Sequence, residues 1–256
     1  MVKTKDMVKE ILGIDIGGSG IKGAIVDVEN GSLISNRLRI PTPAIADPEN
    51  VVEVIQYIIE QLDYKGPIGI GIPGPVESGK VIRAVNLSPK WSHFQAYESF
   101  KTQLSGNPLY IVNDADAAAV AEFGFGSWPD VKHTILFLTI GTGIGSCIIR
   151  DEQFVYNTEL AHIRFRKKVS FEQYASDRTR KVEELSWKRW ACRLNTVLNL
   201  YRFYFSEPYF ILGGGIVKKQ EKFKQYLDSD IQWHAAKLQN EAGIIGAALM
   251  AAKNAK

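Results

Sequence analysis

The chain has 256 residues, of which 45% are hydrophobic and 23% are charged. This composition argues against a disordered chain, and the length suffices for two small domains that each bury a core. The formal net charge is only +3 and no apolar run approaches the about 20 residues that cross a bilayer, so we expect no nucleic-acid partner, no membrane partner and a cytoplasmic location.

The first predicted element is a β-hairpin with a glycine-rich turn. Ile11–Asp27 reads ILGIDIGGSGIKGAIVD, in which two apolar strands flank the turn. The spacing from Gly18 to Gly23 matches the dinucleotide fingerprint, but that fingerprint needs a following helix, and Ile21–Val28 is predicted to be a strand. The turn is therefore either an ordinary tight hairpin or one whose backbone N–H groups bind phosphate, with Asp15 as a candidate Mg²⁺ ligand.

Helices and short strands alternate in the next part of the chain, which favours an α/β fold with mostly parallel sheets. Asp47-Pro48 is a typical helix start, and apolar residues recur at helical spacing as far as Leu62. The elements predicted next are strands at Ile68–Ile72 and Tyr110–Val112 and an alanine-rich helix from Ala115.

The segment from Gly74 to Lys80 resembles a phosphate-binding P-loop. In a P-loop the lysine is followed by Ser or Thr, whose hydroxyl binds magnesium, but here Val81 follows. We therefore expect no P-loop at this place.

Asn113 and Asp114 lie where a short apolar strand gives way to a helix. A carboxylate there can accept the proton of an attacking hydroxyl, and an amide can bind neighbouring sugar hydroxyls. The sequence is equally compatible with the alternative that Asp114 only caps the helix.

The second half of the chain repeats the first hairpin. Ile135–Asp151 reads ILFLTIGTGIGSCIIRD, and aligning Thr139 with Asp15 places Gly141 on Gly17 and Asp151 on Asp27. We interpret this as an internal repeat, which predicts two related α/β halves.

Glu159 and His162 stand three positions apart and would share one face of a helical turn. Together they could bind a vicinal pair of sugar hydroxyls, or they could form a simple surface pair. A zinc site is disfavoured because one His and one Glu are too few ligands.

The remaining predicted elements complete the second α/β half. The aromatic residues between Glu183 and Phe205 recur at helical spacing, which is typical of a core-facing helix. The other elements are a strand at Tyr209–Leu212, a glycine run at Gly213–Gly215 with a basic helix after it, and a last helix at Gly243–Ala252.

These motifs together resemble the ROK family of sugar kinases, and within it most closely the polyphosphate glucokinases (polyphosphate/ATP-glucomannokinases). The segments similar to the family are Gly13–Gly23, Ile70–Pro75, Asn113–Glu122, Thr139–Ser146, Thr158–His162 and Ile211–Ile216. Those similar to the polyphosphate group are again Gly13–Gly23, and also Ala175–Arg178, Leu185–Trp187, Gly213–Lys219 and Leu238–Ala248.

The resemblance implies an actin-like (ribonuclease H-like) fold with two domains and an active cleft between them. The N-terminal α/β domain would comprise residues 1–114, completed by a C-terminal helix at about 241–256, and the C-terminal α/β domain residues 115–240. The implied activity is that of a glucokinase that transfers a phosphoryl group from inorganic polyphosphate, ATP or both to the 6-hydroxyl of glucose. A homodimer is also implied.

The resemblance also implies residue roles. Asp114 would be the general base, and Asp15 would hold Mg²⁺, directly or through water. Glucose would be bound by Asn113, Glu159, His162 and Glu172. Phosphate or nucleotide would be bound by Asp15, Gly17, Gly18, Ser19, Gly20, Lys22, Thr142, Gly143, Gly214 and Gly215.

The chain departs from the family pattern in three features. Many members carry a structural zinc motif of one His and three Cys, but Cys147 and Cys192 stand alone, so we predict no structural zinc. Ala161 replaces the glycine of the usual Glu-x-Gly-His, and Arg164–Ser170 is unusually basic, which leaves reduced activity as an alternative.

A polyphosphate donor would need a track of cations. The candidates are Arg164, Arg166, Lys167, Lys168, Arg178, Arg180 and Lys181, and separately Lys218, Lys219, Lys222 and Lys224. Solvated surfaces are the alternative for both sets.

Three other functions remain open. The first is a strictly ATP-dependent hexose kinase acting on glucose or mannose, and the second is a non-catalytic sugar-binding homologue. The third, a ROK transcriptional repressor, is disfavoured because the short segment before the first strand leaves no room for a helix-turn-helix.

Overall fold

The computed structural model describes residues 9–84, 86–104, 106–131, 133–165 and 168–254. They form two compact units. The first extends to Phe125 and includes the stretch that begins at Glu241, and the second is Gly126–Asn240. The boundary thus falls after Phe125, whereas we predicted it after Asp114, because the helix that begins at Asp114 packs against the last helix of the chain.

The first unit is an α/β unit. Its strands are β1 (Glu10–Gly17), β2 (Gly20–Asp27), β3 (Ser32–Leu33), β4 (Leu38–Ile40), β5 (Ile68–Ile72), β6 (Val76–Glu77), β7 (Lys80–Val81) and β8 (Leu109–Asn113). Its helices before the second unit are α1 (Pro48–Gln61), α2 (Ala96–Gln103) and α3 (Asp114–Phe125).

The second unit is also an α/β unit. Its strands are β9 (Ile135–Ile140), β10 (Ile144–Arg150), β11 (Gln153–Val155), β12 (Arg164–Phe165), β13 (Val169–Ser170), β14 (Tyr209–Gly213) and β15 (Trp233–Ala235). Its α-helices are α4 (Phe171–Ala175), α5 (Asp177–Val182) and α6 (Trp187–Phe205), and α7 (Ala242–Asn254) then returns to the first unit.

The strand orders of the two main sheets confirm the predicted repeat. The first sheet has the order β3-β2-β1-β5-β8, with β4 also paired to β2, and the second has the order β11-β10-β9-β14-β15. In each sheet the two strands of the hairpin pair antiparallel. The first hairpin strand also pairs, along its other side, with a parallel strand: β1 with β5 and β9 with β14. The parallel strands end at a common edge, which we call the carboxyl edge of each sheet.

The two faces of the first sheet differ because side chains alternate along a strand. Leu12, Ile14 and Ile16 of β1 point into the hydrophobic core that is shared with α1 and α2. On the opposite face, Gly13 and Gly69 allow α7 to approach the backbone closely. An ideal Cβ would lie 2.0 Å from the Ile244 carbonyl oxygen at Gly13 and 1.9 Å from the Ala247 carbonyl oxygen at Gly69.

Helices α3 and α7 lie side by side with their N-termini at the carboxyl edge of the first sheet. Helix α3 starts directly at the end of β8. Gly246 of α7 contacts α3 so closely that an ideal Cβ there would lie 1.7 Å from the Ala117 carbonyl oxygen. At the start of α7, Gly243 packs on Asp15 of β1. The positive ends of both helix dipoles therefore face this edge.

Most elements predicted from sequence are present. Strand β5 has the predicted bounds, and the core face predicted between Glu183 and Phe205 is the buried face of α6. The segment that resembles a P-loop is the short hairpin β6–β7, which confirms that it is no P-loop. Across the described parts of the chain, no helix combines the length and the apolar character that a membrane crossing requires.

Candidate active site

The first hairpin carries a row of charged residues across three neighbouring strands. Asp15 on β1 lies opposite Lys22 on β2, and Lys22 lies opposite Arg39 on β4. The Lys22 ammonium contacts the Asp15 carboxylate at 2.5 Å, and the exposed fractions of the two side chains are only 21% and 14%. This Asp15–Lys22–Arg39 row places one negative and two positive charges beside the glycine turn.

Side chains that follow the hairpin in sequence fix the glycine turn. The Thr42 hydroxyl donates to the Gly17 carbonyl oxygen at 2.5 Å, and Arg39 Nη2 donates to the Ser19 carbonyl oxygen at 3.1 Å. An ideal Cβ at Gly20 would lie 3.0 Å from Arg39 Nη2, so the guanidinium rests against a bare Cα atom. Gly18 and Ser19 are exposed at the tip, where their backbone can meet a ligand.

Strand β5 lies between β1, which carries Asp15, and β8, which ends just before Asp114. Gly71 on β5 is the register partner of Asp15, and an ideal Cβ at Gly71 would lie 3.5 Å from the Asp114 Cα atom. No side chain at position 71 therefore separates the two acidic residues. The structure thus brings together, at one sheet edge, the predicted general base and the predicted phosphate hairpin.

The cap of α3 is shared by the two residues that the sequence singled out. Asn113 Oδ1 accepts hydrogen bonds from the backbone N–H groups of Ala115 at 2.9 Å and Asp116 at 3.0 Å. Asp114 Oδ1 accepts a further bond from Ala115 at 2.8 Å. Because the Asn113 oxygen is occupied by the cap, its amide hydrogens are the groups left to donate to a sugar.

Metal binding at this edge has to rely on few protein ligands. Among the described residues, no group of three or more His, Cys, Asp or Glu side chains could hold a metal ion. Mg²⁺ in kinases typically uses one or two carboxylates plus phosphates and water, so a single aspartate beside a phosphate turn fits that ion. Asp15 is such a residue.

The second hairpin is neutral where the first is charged. Thr139, at the position of Asp15, accepts a hydrogen bond from the Gly145 N–H group at 3.2 Å. The turn residues Gly141–Gly143 are closed by a bond from the Gly141 N–H group to the Gly143 carbonyl at 2.9 Å. Thr142 is exposed at the tip. This turn therefore offers backbone groups and a hydroxyl rather than charged side chains.

Two further segments adjoin the second hairpin. Glu172 Oε2 accepts a hydrogen bond from the Ile144 N–H group at 2.9 Å, so this predicted glucose ligand also anchors the start of β10. At the end of β14, Gly214 has a positive φ of 77°, and an ideal Cβ there would lie 2.7 Å from the Ile140 backbone nitrogen. The predicted phosphate residues Gly214 and Gly215 thus begin beside the second hairpin.

Glu159 and His162 meet as predicted on one helical turn, which is a 3₁₀ turn. His162 Nε2 lies 3.0 Å from Glu159 Oε2, and both side chains are partly exposed. The buried Ser146 hydroxyl supports this turn by donating to the Thr158 carbonyl at 2.6 Å and accepting from the Leu160 N–H group at 3.1 Å. These hydrogen bonds fix the backbone on both sides of Glu159.

Ala161 lies between these two residues and is 1% exposed, in the hydrophobic core of the second unit. Its methyl group therefore packs in that core. The buried position favours the interpretation that Ala161 stabilises the turn.

Members of the two candidate cation sets, which are distant in sequence, lie over the same aromatic ring. Arg180 Cζ lies 4.1 Å from the ring centre of Trp187, and the ammonium groups of Lys219 and Lys222 lie at 5.8 Å and 5.9 Å. We call these four residues the Trp187 cluster. Arg180 also pairs with Asp177 at 2.7 Å.

Asp177 stays charged in this surrounding. Burial on its own raises the pKa of Asp177, but hydrogen bonds from Lys181 and Arg180 outweigh burial and leave the pKa below its usual value. One negative charge thus accompanies the cations near Trp187.

Three of the other candidate cations lie outside the Trp187 cluster. Arg164 and Lys168 are exposed on the segment that carries β12 and β13, while Arg166 and Lys167 are outside the described residues. Lys224 pairs with Glu221 at 2.6 Å.

Several residues that shape the site were missed by the sequence reasoning. Arg39, Gly71, Ser146 and Trp187 received no role, since their importance depends on which strands and helices become neighbours. For Arg39 a signal existed: it lies at an alternate position of a short strand that follows the hairpin.

A family model described as the ROK family matches residues 11–178. The chain belongs to the ROK family. Over 93% of its length it is 37% identical to polyphosphate glucokinase from Mycobacterium tuberculosis (strain CDC 1551 / Oshkosh), of which it covers 89%.

Solved structures agree with this assignment. Inorganic polyphosphate/ATP-glucomannokinase from Arthrobacter sp. strain KM matches 96% of this ROK chain and 100% of its own, with a TM-score of 0.92 and 37% identity. A ROK family glucokinase from Streptomyces griseus, solved with glucose and AMPPNP, matches at a TM-score of 0.80 and 24% identity, covering 95% of this chain and 99% of its own. The predicted actin-like α/β sugar kinase fold is confirmed.

Proposed function

We propose that this chain is a glucokinase that transfers a phosphoryl group from inorganic polyphosphate or ATP to the 6-hydroxyl of glucose, giving glucose 6-phosphate. The observation that carries the proposal is the placement of Asp114 across Gly71 from Asp15, at the edge where the first glycine turn lies. The names of the relatives, polyphosphate glucokinase and polyphosphate/ATP-glucomannokinase, support the same substrates.

Asp114 would act as the general base. It accepts the proton of the 6-hydroxyl as that oxygen bonds to phosphorus, while the bond from phosphorus to the bridging donor oxygen breaks. The donor leaves one phosphate shorter, or as ADP. The dipoles of α3 and α7 favour negative charge at this edge and thereby stabilise the phosphoryl group in transit.

The remaining residues of the proposed site bind either the donor phosphates or the sugar. We assign donor phosphates to Lys22 and to the turn residues of both hairpins: Gly17, Gly18, Ser19, Gly20, Thr142 and Gly143, together with Gly214 and Gly215. We assign the glucose hydroxyls to Asn113, Glu159, His162 and Glu172. Carboxylates accept hydrogen bonds from hydroxyls and the Asn113 amide donates them, so the set matches a polyol.

Mg²⁺ would be held by Asp15 and by donor phosphate oxygens. When bound, it neutralises charge on the donor phosphates. The 2.5 Å contact with Lys22 already orients the Asp15 carboxylate at this edge before any ion arrives.

The Trp187 cluster supports polyphosphate as a donor. Among the described residues, this cluster contains cations from two separate segments around one ring. A bound polyanion would offset the repulsion between these like charges. Lys219 and Lys222 lie on the 3₁₀ segment Gly215–Lys222, which Gly214 directly precedes. A polyphosphate chain could therefore extend from the glycine residues to the cluster.

Replacing both Lys219 and Lys222 with Ala is expected to raise the KM for polyphosphate by roughly tenfold or more while leaving the KM for glucose within about twofold, because two charge-assisted contacts are lost. The effect should shrink as salt rises, since salt screens the remaining cations. Initial rates at several salt concentrations measure both quantities. Lys224→Ala is the matched control, because Lys224 is paired with Glu221; equal changes in both KM values would contradict the assignment.

Supplying polyphosphate and ATP separately in a coupled assay of glucose 6-phosphate tests the function itself. We expect product with glucose and polyphosphate, and none without glucose. Product with ATP alone would favour the ATP-dependent hexose kinase, and glucose binding without product from either donor would favour the sugar-binding homologue. Mannose in place of glucose tests the second sugar.

A homodimer and a cytoplasmic location stay predictions. The homodimer rests on the family resemblance, and the location rests on the sequence composition.

A further inference from the structure

Arg39 lies at the first phosphate turn, although neither the sequence motifs nor the proposed mechanism uses it. Its Nη2 atom donates to the Ser19 carbonyl oxygen at 3.1 Å, and its guanidinium rests on the Cα atom of Gly20. A guanidinium has five N–H donors, and the structure records a protein acceptor for one of them. The side chain is exposed, so the other donors can reach a ligand at the turn.

The strand register places a second cation beside it. Arg39 lies directly opposite Lys22, and directly opposed like charges destabilise a pair of strands. Asp15 compensates for one of the two charges through its contact with Lys22. One positive charge in the row thus remains for an anion.

The geometry of the turn indicates where that anion would lie. An ideal Cβ at Gly17 would be 4.0 Å from Lys22 Nζ, and one at Gly20 would be 3.0 Å from Arg39 Nη2. The two cations therefore approach the two ends of the same turn. A phosphate at the turn tip would be within reach of both side chains and of the backbone.

We propose that Arg39 is a donor-binding residue that works with Lys22 to hold the terminal phosphate of polyphosphate or ATP against the Gly17–Gly20 turn. This inference rests on the proposed kinase function. Arginine suits the role because its planar group can make two parallel hydrogen bonds to one phosphate, whereas lysine offers a single point charge.

Replacing Arg39 with Gln tests the proposal. We expect kcat/KM for polyphosphate to fall about 10- to 100-fold, and the binding of tripolyphosphate in the absence of glucose, measured by titration calorimetry, to weaken by a similar factor. Arg39→Lys should recover part of the loss, because it restores the charge without the second hydrogen bond. The KM for glucose and the thermal unfolding midpoint should change little, since Arg39 is exposed.

Lys65→Gln is the matched control, because it removes one charge from an 88% exposed side chain that precedes the amino end of β5. If the wild-type chain binds tripolyphosphate and Arg39→Gln binds it equally well, the role of Arg39 is refuted while the kinase function stands. A lower unfolding midpoint with unchanged tripolyphosphate binding would refute it as well, and would make Arg39 a support of the hairpin only. If the wild-type chain neither binds tripolyphosphate nor forms product, the proposed function fails and this inference fails with it.

Discussion

Replacing Asp114 with Asn is expected to lower kcat by about 10²- to 10⁴-fold, because the variant removes the group that accepts the proton of the 6-hydroxyl. The fold should survive, since an amide oxygen can still accept the hydrogen bond from the Ala115 N–H group that the carboxylate accepts at 2.8 Å. Glucose binding should persist, because Asn113 and the Glu159–His162 pair remain. Single-turnover rates and equilibrium binding of glucose measure the two effects separately.

Asp63→Asn provides the control for this experiment. Asp63 is 91% exposed in its side chain and adopts a positive φ of 43°, a conformation that Asn tolerates well. Its variant should keep full activity. A kcat for Asp114→Asn close to that of the wild-type chain would show that another group accepts the proton, and would remove the main support for the kinase mechanism.

Replacing Gly69 with Ala is expected to destabilise the protein by about 3 kcal/mol or more, since overpacking a rigid contact costs about 1–3 kcal/mol and here the obstacle is backbone. The added methyl carbon would lie 1.9 Å from the Ala247 carbonyl oxygen, so α7 would have to move off the sheet. Chemical denaturation followed by tryptophan fluorescence and by far-UV circular dichroism measures the loss.

Gly71→Ala is the comparison within the same strand. There the added carbon would meet its nearest neighbour, the Asp114 Cα atom, at the ordinary distance of 3.5 Å, so stability should hardly change. Equal stability of the two variants would contradict the close contact between Gly69 of β5 and the α7 backbone. Activity is not the readout here, because a methyl group at position 71 would lie between Asp15 and Asp114.

Local patterns were sufficient to predict the hairpins, the strand β5 and the core face of α6. Each of these is encoded within about 20 neighbouring residues, as a glycine turn between apolar runs or as an apolar stripe of helical period. Asn113 and Asp114 could be placed because the end of a strand and the start of a helix are adjacent in sequence. The pairing of Glu159 with His162 is equally local.

The rest of the site depends on contacts between distant segments. Arg39 reaches the turn because β4 pairs with β2 in one register out of several, and a shift by one residue would turn its side chain to the other face. Trp187 collects Arg180 and Lys219 because α6 and the segment after β14 pack together. Ala161 looked like a departure near the sugar, but tertiary packing places its methyl group in the core.

The return of α7 to the first unit affects the order in which the chain can fold. This helix covers the glycine-lined face of a sheet whose strands are complete by Asn113, yet it follows the whole of Gly126–Asn240 in the chain. During synthesis the ribosome therefore releases the second unit before the first one has its covering helix. The second unit can fold as it emerges, whereas the bare backbone around Gly13 and Gly69 stays exposed until the helix is made. We therefore expect chaperones that act during synthesis to bind the N-terminal sheet.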